Sequence, residues 1–484
     1  MKIALVSSEI VPFSKTGGLA DVTGALGKYL SLDGLDVRLF TPLYDIAEID
    51  LQNLHAVDFM QDMRVPMGGR ELGFSVFTGV LPDSDADVYF IDAPELYHRG
   101  QVYTDDADEY LRFALLSRAA LECCQRMGWG PDVVHCNDWQ TALIPLYLRT
   151  LYAWDRLFDR TRTILTIHNL AYQGIFRSDV SRQIGLREED RYLLHEEDLR
   201  LGLFNYLKHG IMYADAISTV SRTYAREIQT PEYGNGLDGM LRTRSDALVG
   251  IVNGVDYGDW SPENDRLIAH NYSIDDFEGK RRMKQVLLER LELPYDPDVP
   301  VFGIVSRLVE QKGFDLFFDI MDPFLHHVDM RLCVLGSGAK VYEEYFAELQ
   351  SRYPHRVCFY RGYSNELAHM IEAGSDIFLM PSHYEPCGLN QIYSLRYGTI
   401  PVVRRTGGLA DTVVQADPQR GEGNGVLFEN FNPQGLAWGI DRVLELWRDQ
   451  AFWRRLMRNA MEANWSWEKQ IDHYIELYRT LDSK

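Results

Sequence analysis

Short apolar runs alternate with amphipathic segments of helical length along most of the chain. Seven runs precede residue 255, namely KIALVSS, DVRLFTP, DVYFIDA, DVVHCND, TILTIHN, AISTVS and LVGIVNG. Five more follow, namely VFGIVSR, RLCVLGSG, VCFYRGY, DIFLMPS and IPVVRRT. Continuously apolar runs are typical of strands buried on both faces of a parallel sheet. The pattern predicts an α/β protein with two doubly wound parallel sheets.

A polar, aperiodic segment at residues 260–271 separates the two series of strands. We predict two Rossmann-like domains, residues 1–256 and 257–466, that face a deep interdomain cleft. Helical patterns at 438–460 and 467–481 end the chain, and the last helix, 467–484, is expected to complete the first domain. The two halves also share a short repeat, KTGGLADV at 15–22 and RTGGLADTV at 405–413.

The chain is acidic, with a formal net charge of −22. It has no excess of cations to neutralise phosphate groups, so neither nucleic acid nor an anionic membrane surface is an expected partner. Six cysteines without metal-ligand spacing indicate a reducing compartment. The N-terminal apolar run is too short for a signal peptide, which favours a soluble cytoplasmic protein.

Most of the predicted parallel strands are followed by polar or glycine residues. They are Glu9, Asp138, His168, Asn169, Asn253, Arg307, the Gly336-Ser337-Gly338 turn, Tyr363 and Glu385. In open α/β sheets ligands bind beyond the carboxyl ends of the strands. These side chains are therefore the candidate site.

Three segments have the chemistry of a diphosphate site. The Lys15-Thr16-Gly17-Gly18 turn enters a helix, where backbone N–H groups and the helix dipole attract an anion. Arg307 and Lys312 add two cations, and a glutamate and a small-residue turn at 385–391 precede another predicted helix. The alternatives are a tight connection at the glycines and solvated surface charge at the two cations.

Three candidates also have structural interpretations. Asp138 suits the N-cap of the helix that follows it. His168 suits a hydrogen-bonded structural histidine, and Tyr363 suits a packing residue.

Seven segments together resemble the bacterial glycogen synthases and the closely similar plant starch synthases. They are KTGGLADV, HCNDWQTAL at 135–143, TIHNLAYQG at 166–174, NGVD at 253–256, SRLVEQKG at 306–313, PSHYEPCGLNQIYSLRYGT at 381–399 and RRTGGLADTV at 404–413. The resemblance spans nearly the whole chain. It implies the GT-B fold and transfer of glucose from ADP-glucose to the non-reducing end of an α-1,4-glucan such as glycogen, with retained configuration.

The resemblance also implies roles for individual residues. The predicted catalytic residues are Glu385, His168, Asp138, Lys312 and Arg307. Those expected to bind ADP-glucose are Lys15, Gly17, Gly18, Asn253, Arg307, Lys312, Tyr363, Cys387, Gly388, Leu389 and Asn390, with Tyr363 stacked on adenine. Those expected on the acceptor side are Glu9, Tyr103, Asp138 and His168.

Two positions depart from related patterns. Many retaining GT-B enzymes carry a second glutamate eight positions after the first, where this chain has Tyr393. That departure is similar to the ADP-glucose-using branch and leaves the ribose contact open. Asn390 stands where related bacterial chains often have threonine.

No metal or other cofactor is expected, because the cations and glycine-rich turns can stabilise the departing phosphate. Asp83, Asp85 and Asp87 have Asp-x-Asp spacing, but we interpret them as solvated turn residues of a hairpin. Retention by double displacement would need a nucleophilic carboxylate, which the sequence does not identify. We therefore expect a front-face mechanism in which Glu385 stabilises the glucosyl ring. The alternatives are a phosphorylase with pyridoxal phosphate on a lysine and a non-catalytic sugar-nucleotide sensor.

Overall fold

The computed structural model describes residues 1–46, 49 and 51–483. The strands in this part of the chain are β1 (Lys2–Val6), β2 (Asp36–Pro42), β3 (His55–Ala56), β4 (Met63–Met67), β5 (Arg70–Val80), β6 (Asp87–Asp92), β7 (Val133–Asn137), β8 (Arg162–Ile167), β9 (Ile175–Arg177), β10 (Leu203–Asn205), β11 (Ala216–Thr219), β12 (Leu248–Gly250), β13 (Val301–Val305), β14 (Arg331–Gly336), β15 (Val357–Arg361), β16 (Ile377–Met380), β17 (Ile400–Arg404) and β18 (Val426–Phe428).

The α-helices in the described residues connect these strands and close the chain. They are α1 (Gly18–Leu32), α2 (Pro94–Tyr97), α3 (Glu109–Met127), α4 (Asp138–Thr141), α5 (Ile144–Arg149), α6 (Val180–Gln183), α7 (Glu196–Arg200), α8 (Tyr206–Tyr213), α9 (Arg222–Glu227), α10 (Asp238–Thr243), α11 (Glu278–Arg290), α12 (Met321–His327), α13 (Lys340–Arg352), α14 (Asn365–Gly374), α15 (Asn390–Arg396), α16 (Gly407–Thr412), α17 (Pro433–Arg448), α18 (Gln450–Glu462) and α19 (Trp467–Asp482).

The first large sheet has the order β12-β11-β8-β7-β1-β2-β6-β5-β3, with β4 paired to β5. Its strands from β12 to β6 are parallel, and β5 pairs antiparallel with β6. The parallel part confirms the sequence prediction. The antiparallel pairing of β5 with β6 agrees with the hairpin expected at residues 83–87, but no apolar run was identified at β4 or β5, because these strands alternate buried and exposed positions.

The second large sheet is wholly parallel and has the order β15-β14-β13-β16-β17-β18. This is the strand order of a doubly wound Rossmann sheet, as expected. Apart from the edge strand β15, its strands are almost entirely buried, and residues such as Ile304, Leu332 and Val402 form a core with the helices on one face. β9 and β10 form a separate two-stranded antiparallel pair.

The chain packs into two compact units. The first contains Met1–Val220, Ala225–Ile251 and Gln470–Lys484, and the second contains Ser221–Tyr224 and Val252–Lys469. The domain limits inferred from sequence, 1–256 with 467–484 and 257–466, stay a prediction. Lys484, the end of the expected final helix, lies outside the described residues.

Asp449 divides the helical stretch predicted at 438–460 into two helices. α17 ends at Arg448 and α18 begins at Gln450. The Asp449 carboxylate accepts a hydrogen bond of 3.1 Å from the backbone N–H of Phe452 and so caps α18. The prediction of one continuous helix was therefore wrong at this position. None of the helices in the described part of the chain has the length and apolar character needed to cross a membrane.

Candidate active site

The strand order of the first large sheet reverses between β1 and β7, and two predicted site residues follow these strands. Ligands of open α/β sheets bind at such a switch point. Glu9 follows β1 and Asp138 follows β7, so the topology brings both carboxylates to one edge of the sheet. They lie close enough that the charge of Glu9 helps to raise the pKa of Asp138.

The Glu9 carboxylate is buried and joins two loops. It accepts hydrogen bonds from the Tyr103 hydroxyl at 2.8 Å and from the Thr16 hydroxyl at 2.9 Å, and also from the Thr16 backbone N–H. Burial raises its pKa, although these hydrogen bonds oppose the shift. The predicted acceptor residues Glu9 and Tyr103 are thus in direct contact.

Arg112, which the sequence analysis did not select, holds the segment that carries Tyr103. Its fully buried guanidinium donates to the Leu96 carbonyl at 2.7 Å and the Val102 carbonyl at 3.0 Å, and it pairs with Glu109 at 2.7 Å. The available signal was that α3 carries arginines, Arg112 and Arg118, among its buried apolar residues, since a buried charge requires partners.

The Lys15–Gly18 turn is open on its outer side. Lys15 Nζ contacts the Asp21 carboxylate at 2.7 Å, and its side chain stays half exposed. Gly17 has an extended backbone with φ of −160°, and no side chain caps the start of α1 at Gly18. A Cβ atom at either glycine would meet no protein atom within 4 Å. Protein packing therefore does not require these glycines, and the first turn of α1 has no side-chain cap, as in helix starts that bind anions.

Asp138 does not cap its own helix, so that interpretation was wrong. It is the first residue of α4, with a left-handed φ of +53°, and the cap position is Asn137. Its Oδ1 atom accepts a hydrogen bond of 2.7 Å from the backbone N–H of His168. Burial raises the pKa of Asp138 to about 7, against the opposing effect of the backbone N–H groups of His168 and Asn169.

His168 is a neutral imidazole whose Nε2 atom is held by a hydrogen bond. Its Nε2 atom lies 2.9 Å from Asn137 Oδ1, and the Asn137 amide nitrogen donates to the Val6 carbonyl at 3.1 Å. The Asn137 oxygen is an acceptor, so Nε2 carries the proton and Nδ1 is an acceptor. Burial lowers the pKa of His168 to about 3. The histidine is therefore uncharged at neutral pH.

The second large sheet has its switch point between the adjacent strands β13 and β16. Arg307 and Lys312 follow β13, and Glu385 follows β16. The topology therefore collects the predicted cations and the predicted carboxylate at one edge. The Arg307 side chain is exposed and makes no ion pair within the described structure.

Glu385 and Lys312 form a largely buried ion pair. Lys312 Nζ lies 2.6 Å from Glu385 Oε2, and the Ser382 hydroxyl donates to the same oxygen at 3.0 Å. Both donors engage one oxygen, so the carboxylate is fixed in orientation while Oε1 has no partner among the described residues. Ser382 is a further contact that sequence reasoning missed.

Asn253 and Cys387 lie beside this pair in the same unit. The Asn253 side chain is 5% exposed, and its Oδ1 atom accepts no hydrogen bond from the described residues. A buried carbonyl oxygen without a donor costs about 1–3 kcal/mol, which a ligand hydroxyl can recover. Burial raises the pKa of the Cys387 thiol to about 12, so Cys387 is neutral and not a nucleophile.

The turn before α15 presents uncapped backbone N–H groups, as the sequence predicted. Gly388 has a left-handed φ of +72°, which favours glycine, and a Cβ atom there would lie 2.4 Å from Gln391 Oε1 and displace that side chain. Leu389 is the cap residue but supplies no side-chain hydrogen bond. The Asn390 amide donates to the Val305 carbonyl at 2.6 Å and ties the start of α15 to the end of β13.

Tyr363 is 76% exposed, so its interpretation as a packing residue was wrong. It follows β15, and its hydroxyl donates to Asn365 Oδ1 at 3.2 Å. The faces of its ring are accessible to a planar ligand.

The second glycine pair of the repeat, Gly407 and Gly408, packs against the backbone of Glu385 and Cys387. A Cβ atom at Gly407 would lie 1.8 Å from the Glu385 carbonyl oxygen, and one at Gly408 would lie 2.0 Å from the Cys387 carbonyl oxygen. The Gly408 N–H also donates to the Glu385 carbonyl at 3.0 Å. The repeated sequence drew attention to these glycines, but the sequence analysis predicted no packing role for them.

Tyr393 occupies the position at which many retaining GT-B enzymes have a second glutamate, and it lies in an aromatic stack. Its ring stacks on Trp260 at 3.9 Å between centroids, and Trp260 stacks on His369 at 3.7 Å. The position therefore contributes an aromatic surface instead of a carboxylate.

No group of three or more His, Cys, Asp or Glu side chains in the described ranges is arranged to hold a metal ion. Asp83 and Asp85 lie in the loop between the antiparallel strands β5 and β6, and Asp87 begins β6. Their interpretation as hairpin residues is confirmed.

Two family models together match most of the chain. Residues 2–243 match the starch synthase catalytic domain, and residues 289–462 match glycosyl transferases group 1.

Curated relatives match over the full length. A glycogen synthase of Desulforudis audaxviator is 45% identical over 491 residues, which are 99% of this chain and 96% of the relative. A glycogen synthase of Thermotoga maritima is 44% identical over 484 residues, covering 99% and 98% of the two chains. Among solved structures, the catalytic domain of starch synthase IV from Arabidopsis thaliana, bound to ADP and acarbose, has a TM-score of 0.90 at 32% identity, covering 100% of this chain and 99% of that chain.

Proposed function

Because the chain belongs to the family of glycogen and starch synthases, the GT-B glucosyltransferases that elongate glucan, we propose that its donor is ADP-glucose and that it retains the anomeric configuration. The glucose is added to the non-reducing end of an α-1,4-glucan. The observation that carries this proposal is the Glu385–Lys312 pair at the switch point of the second sheet, with the unpaired Asn253 oxygen beside it.

The donor diphosphate binds to Arg307, Lys312 and the uncapped N–H groups at Leu389 and Asn390. Arg307 supports this role because it is an exposed cation without an ion pair in the described structure. On the first unit, Lys15 and the open glycines Gly17 and Gly18 are further candidates for anion contacts. These groups stabilise the negative charge that develops on the leaving phosphate.

Adenine stacks on the exposed ring of Tyr363. The starch synthase IV structure contains ADP, which supports an adenine nucleotide as donor. Glucose binds among Asn253, Glu385, Cys387 and Gly388, where a sugar hydroxyl donates to the unpaired Asn253 oxygen.

Glu385 acts as a fixed charge and not as a nucleophile. Lys312 and Ser382 both engage its Oε2 atom, so the carboxylate cannot turn freely toward the anomeric carbon. Its charge stabilises the oxocarbenium character of the glucosyl ring, and the leaving phosphate takes the proton of the acceptor hydroxyl.

The acceptor glucan binds to Glu9, Tyr103, Asp138 and His168. Acarbose, an oligosaccharide analogue, in the starch synthase IV structure supports a saccharide acceptor site in this fold. The neutral His168 presents an acceptor nitrogen to a sugar hydroxyl without introducing a charge. No metal or other cofactor takes part, since cationic side chains serve the phosphates.

The enzyme works in a reducing cytoplasm. All six cysteines are free thiols in the structure, which supports this assignment.

Glucosyl transfer to glycogen, measured from ADP-glucose and from UDP-glucose with a metal chelator present, tests the proposal. We expect chelator-resistant elongation with ADP-glucose, and proton NMR of the product should show new α-1,4 linkages. Preference for UDP-glucose would overturn the donor assignment. Loss of activity with chelator would overturn metal independence, and a pyridoxal absorbance in the pure protein would favour the phosphorylase alternative.

A further inference from the structure

Residues 385–388 form a turn in which every peptide carbonyl is hydrogen-bonded. We call it the sugar turn, because the proposed function places glucose beside it. The Glu385 carbonyl accepts a hydrogen bond of 3.0 Å from the Gly408 N–H, and the Pro386 carbonyl accepts one of 2.6 Å from the Ser221 hydroxyl. Ser221 is fully buried, so solvent does not compete for its bond.

These carbonyl contacts set the direction of the N–H groups in the turn. Gln391 Nε2 donates to the carbonyls of Cys387 at 3.1 Å and Gly388 at 2.9 Å. In a planar trans peptide the N–H points opposite to the carbonyl. The N–H groups of Cys387, Gly388 and Leu389 therefore point away from Ser221 and Gln391. They make no hydrogen bond within the described residues, so they are the unpaired donors of the turn.

Ser221 lies in a short segment that Asp411 anchors. This segment, Ser221–Tyr224, belongs to the second unit, although the chain before and after it belongs to the first. The Asp411 carboxylate accepts hydrogen bonds from the Thr223 N–H at 2.9 Å and from the Thr223 hydroxyl at 2.6 Å. The Tyr224 N–H donates to Ser221 Oγ at 3.1 Å, which orients the serine hydroxyl.

Asp411 ends the second copy of the TGGLAD repeat, and the first copy uses its aspartate differently. In the first copy Asp21 contacts Lys15 Nζ at 2.7 Å. The second copy has Arg405 at the position of Lys15, and Arg405 pairs with Glu429 at 2.6 Å. The aspartate of the second copy thus bonds to a different part of the chain.

We propose that Ser221 and Asp411 are positioning residues for the glucosyl donor, and that the second TGGLAD copy holds the sugar turn in its binding conformation. The inference rests on the proposed function, which places the glucose of the donor beside this turn. Asp411 fixes Thr223 and thereby the place of Ser221. Ser221 holds the Pro386 carbonyl, so the Cys387 N–H of the same peptide keeps its direction.

The two residues should act on the glucose and not on the nucleotide. Ser221 contacts the peptide before Cys387, whereas the N–H groups assigned to the diphosphate belong to Leu389 and Asn390. Asn390 is held separately, by its bond to the Val305 carbonyl. A displaced sugar turn should therefore weaken the contacts with glucose and leave the binding of ADP unchanged.

The test compares Ser221→Ala and Asp411→Asn with the wild type, with ADP-glucose as donor and ADP as competitive inhibitor. Ser221→Ala removes the donor to the Pro386 carbonyl, and Asp411→Asn offers one acceptor oxygen to the two donors of Thr223. We expect kcat/KM for ADP-glucose to fall about 10- to 100-fold in each variant, because the glucose contacts are displaced. The inhibition constant of ADP should not change. The double variant should lose little more than either single variant, since both act through one segment.

Asp449→Asn is the matched control. Asp449 also accepts a hydrogen bond from a backbone N–H near a helix start, but its partner is Phe452 on α18 and not the sugar turn. This variant should leave kcat/KM unchanged. Unchanged kcat/KM in Ser221→Ala and Asp411→Asn would overturn the proposal, as would a loss of ADP affinity equal to the loss in kcat/KM.

Failure of the proposed function would give a different result. If the wild type transferred glucose only from UDP-glucose, the donor assignment would fail, and the same comparison with UDP-glucose and UDP would still test the sugar turn. If it transferred none, thermal shifts with ADP-glucose and with ADP would make the comparison without turnover. The variants should then lose only the additional stabilisation that the glucose provides, and an equal loss with both ligands would overturn the proposal.

Discussion

At the scale of single residues, the Glu385 carboxylate is held in one orientation. Two donors on Oε2 fix the carboxylate, and Oε1 has no partner among the described residues. Glu385→Gln keeps an oxygen that accepts from Lys312 but removes the negative charge. We expect kcat to fall about 10²- to 10³-fold with a small change in melting temperature. Glu429→Gln, which alters an exposed ion pair with Arg405, is the control in steady-state assays, and near wild-type turnover of Glu385→Gln would remove the charge from the mechanism.

Asp138 should make stability depend on pH. Its pKa is raised from 3.8 to about 7 in the folded protein, so the folded state binds a proton that the unfolded state releases. The resulting stabilisation is complete below about pH 4 and is lost as the pH rises through 7. Asp138→Asn removes the titration and keeps an oxygen for the His168 N–H.

Melting temperatures of the wild type and Asp138→Asn at pH 5 and pH 8 measure this effect. Relative to the variant, the wild type should be less stable at pH 8 than at pH 5. A difference between the two proteins that does not change with pH would show that Asp138 does not titrate in this range.

Arg112 should act on the acceptor through Tyr103. Arg112→Lys keeps the charge, but one ammonium group cannot reproduce the guanidinium bonds to the Leu96 and Val102 carbonyls. We expect the KM for glucan to rise about 10-fold while the KM for ADP-glucose is unchanged. Equal changes in both constants would indicate a general loss of structure.

The positions of single residues were predicted best where they follow an apolar strand. Glu9, Asp138, Arg307 and Glu385 do follow parallel strands, which end at a common edge, and their roles in a site stay a prediction. The partners of Arg112 are backbone carbonyls ten and sixteen residues away, and no local pattern encodes such contacts. Asp138 looked like a helix cap in sequence, yet its left-handed backbone turns the carboxylate toward His168.

At the scale of elements, the repeated TGGLAD sequence begins two helices that use their glycines differently. At α1 the pair Gly17 and Gly18 borders open space, whereas at α16 the pair Gly407 and Gly408 contacts the backbone at Glu385 and Cys387. The same sequence therefore forms a candidate ligand contact in one unit and a packing contact in the other.

Alanine substitutions should separate these two uses. Gly408→Ala places a Cβ atom 2.0 Å from the Cys387 carbonyl oxygen and should lower both melting temperature and kcat. Gly18→Ala meets no protein atom and should leave the melting temperature equal or slightly higher, while the KM for ADP-glucose rises about 10-fold. An unchanged KM in Gly18→Ala would remove the first turn from the donor site.

The parallel strands were predictable because burial on both faces leaves continuous apolar runs. β4 and β5 were not identified as apolar runs because an alternating strand carries a weaker signal, although the hairpin before β6 was expected. The break at Asp449 was missed because one capping residue interrupts an otherwise continuous helical pattern. The sequence thus predicted the presence of buried strands better than it predicted strand direction or the ends of helices.

At the scale of the whole molecule, the chain leaves the first unit and returns to it. α19 brings Tyr478 within 2.8 Å of His135 on β7, and the ring of Tyr474 packs against the same histidine. The first unit is therefore discontinuous in sequence, whereas the second is almost complete between Val252 and Lys469.

A chain that stops after Lys469 should keep the second unit and weaken the first. Removing Tyr474 and Tyr478 uncovers His135 and the surrounding buried surface. Limited proteolysis with mass spectrometry should show faster cleavage within residues 1–220 than within 252–469. A chain that stops after Asp482 is the control, and equal protection of both units in the shorter chain would contradict this prediction.

The return of α19 also sets the order of events during translation. At about 5–20 residues per second, a ribosome needs roughly half a minute to a minute and a half to make this chain. The earliest residues to emerge wait through that interval for α19, because the cover over β7 is encoded after the second unit. The second unit, although synthesised later, is the first for which all parts are present on the nascent chain.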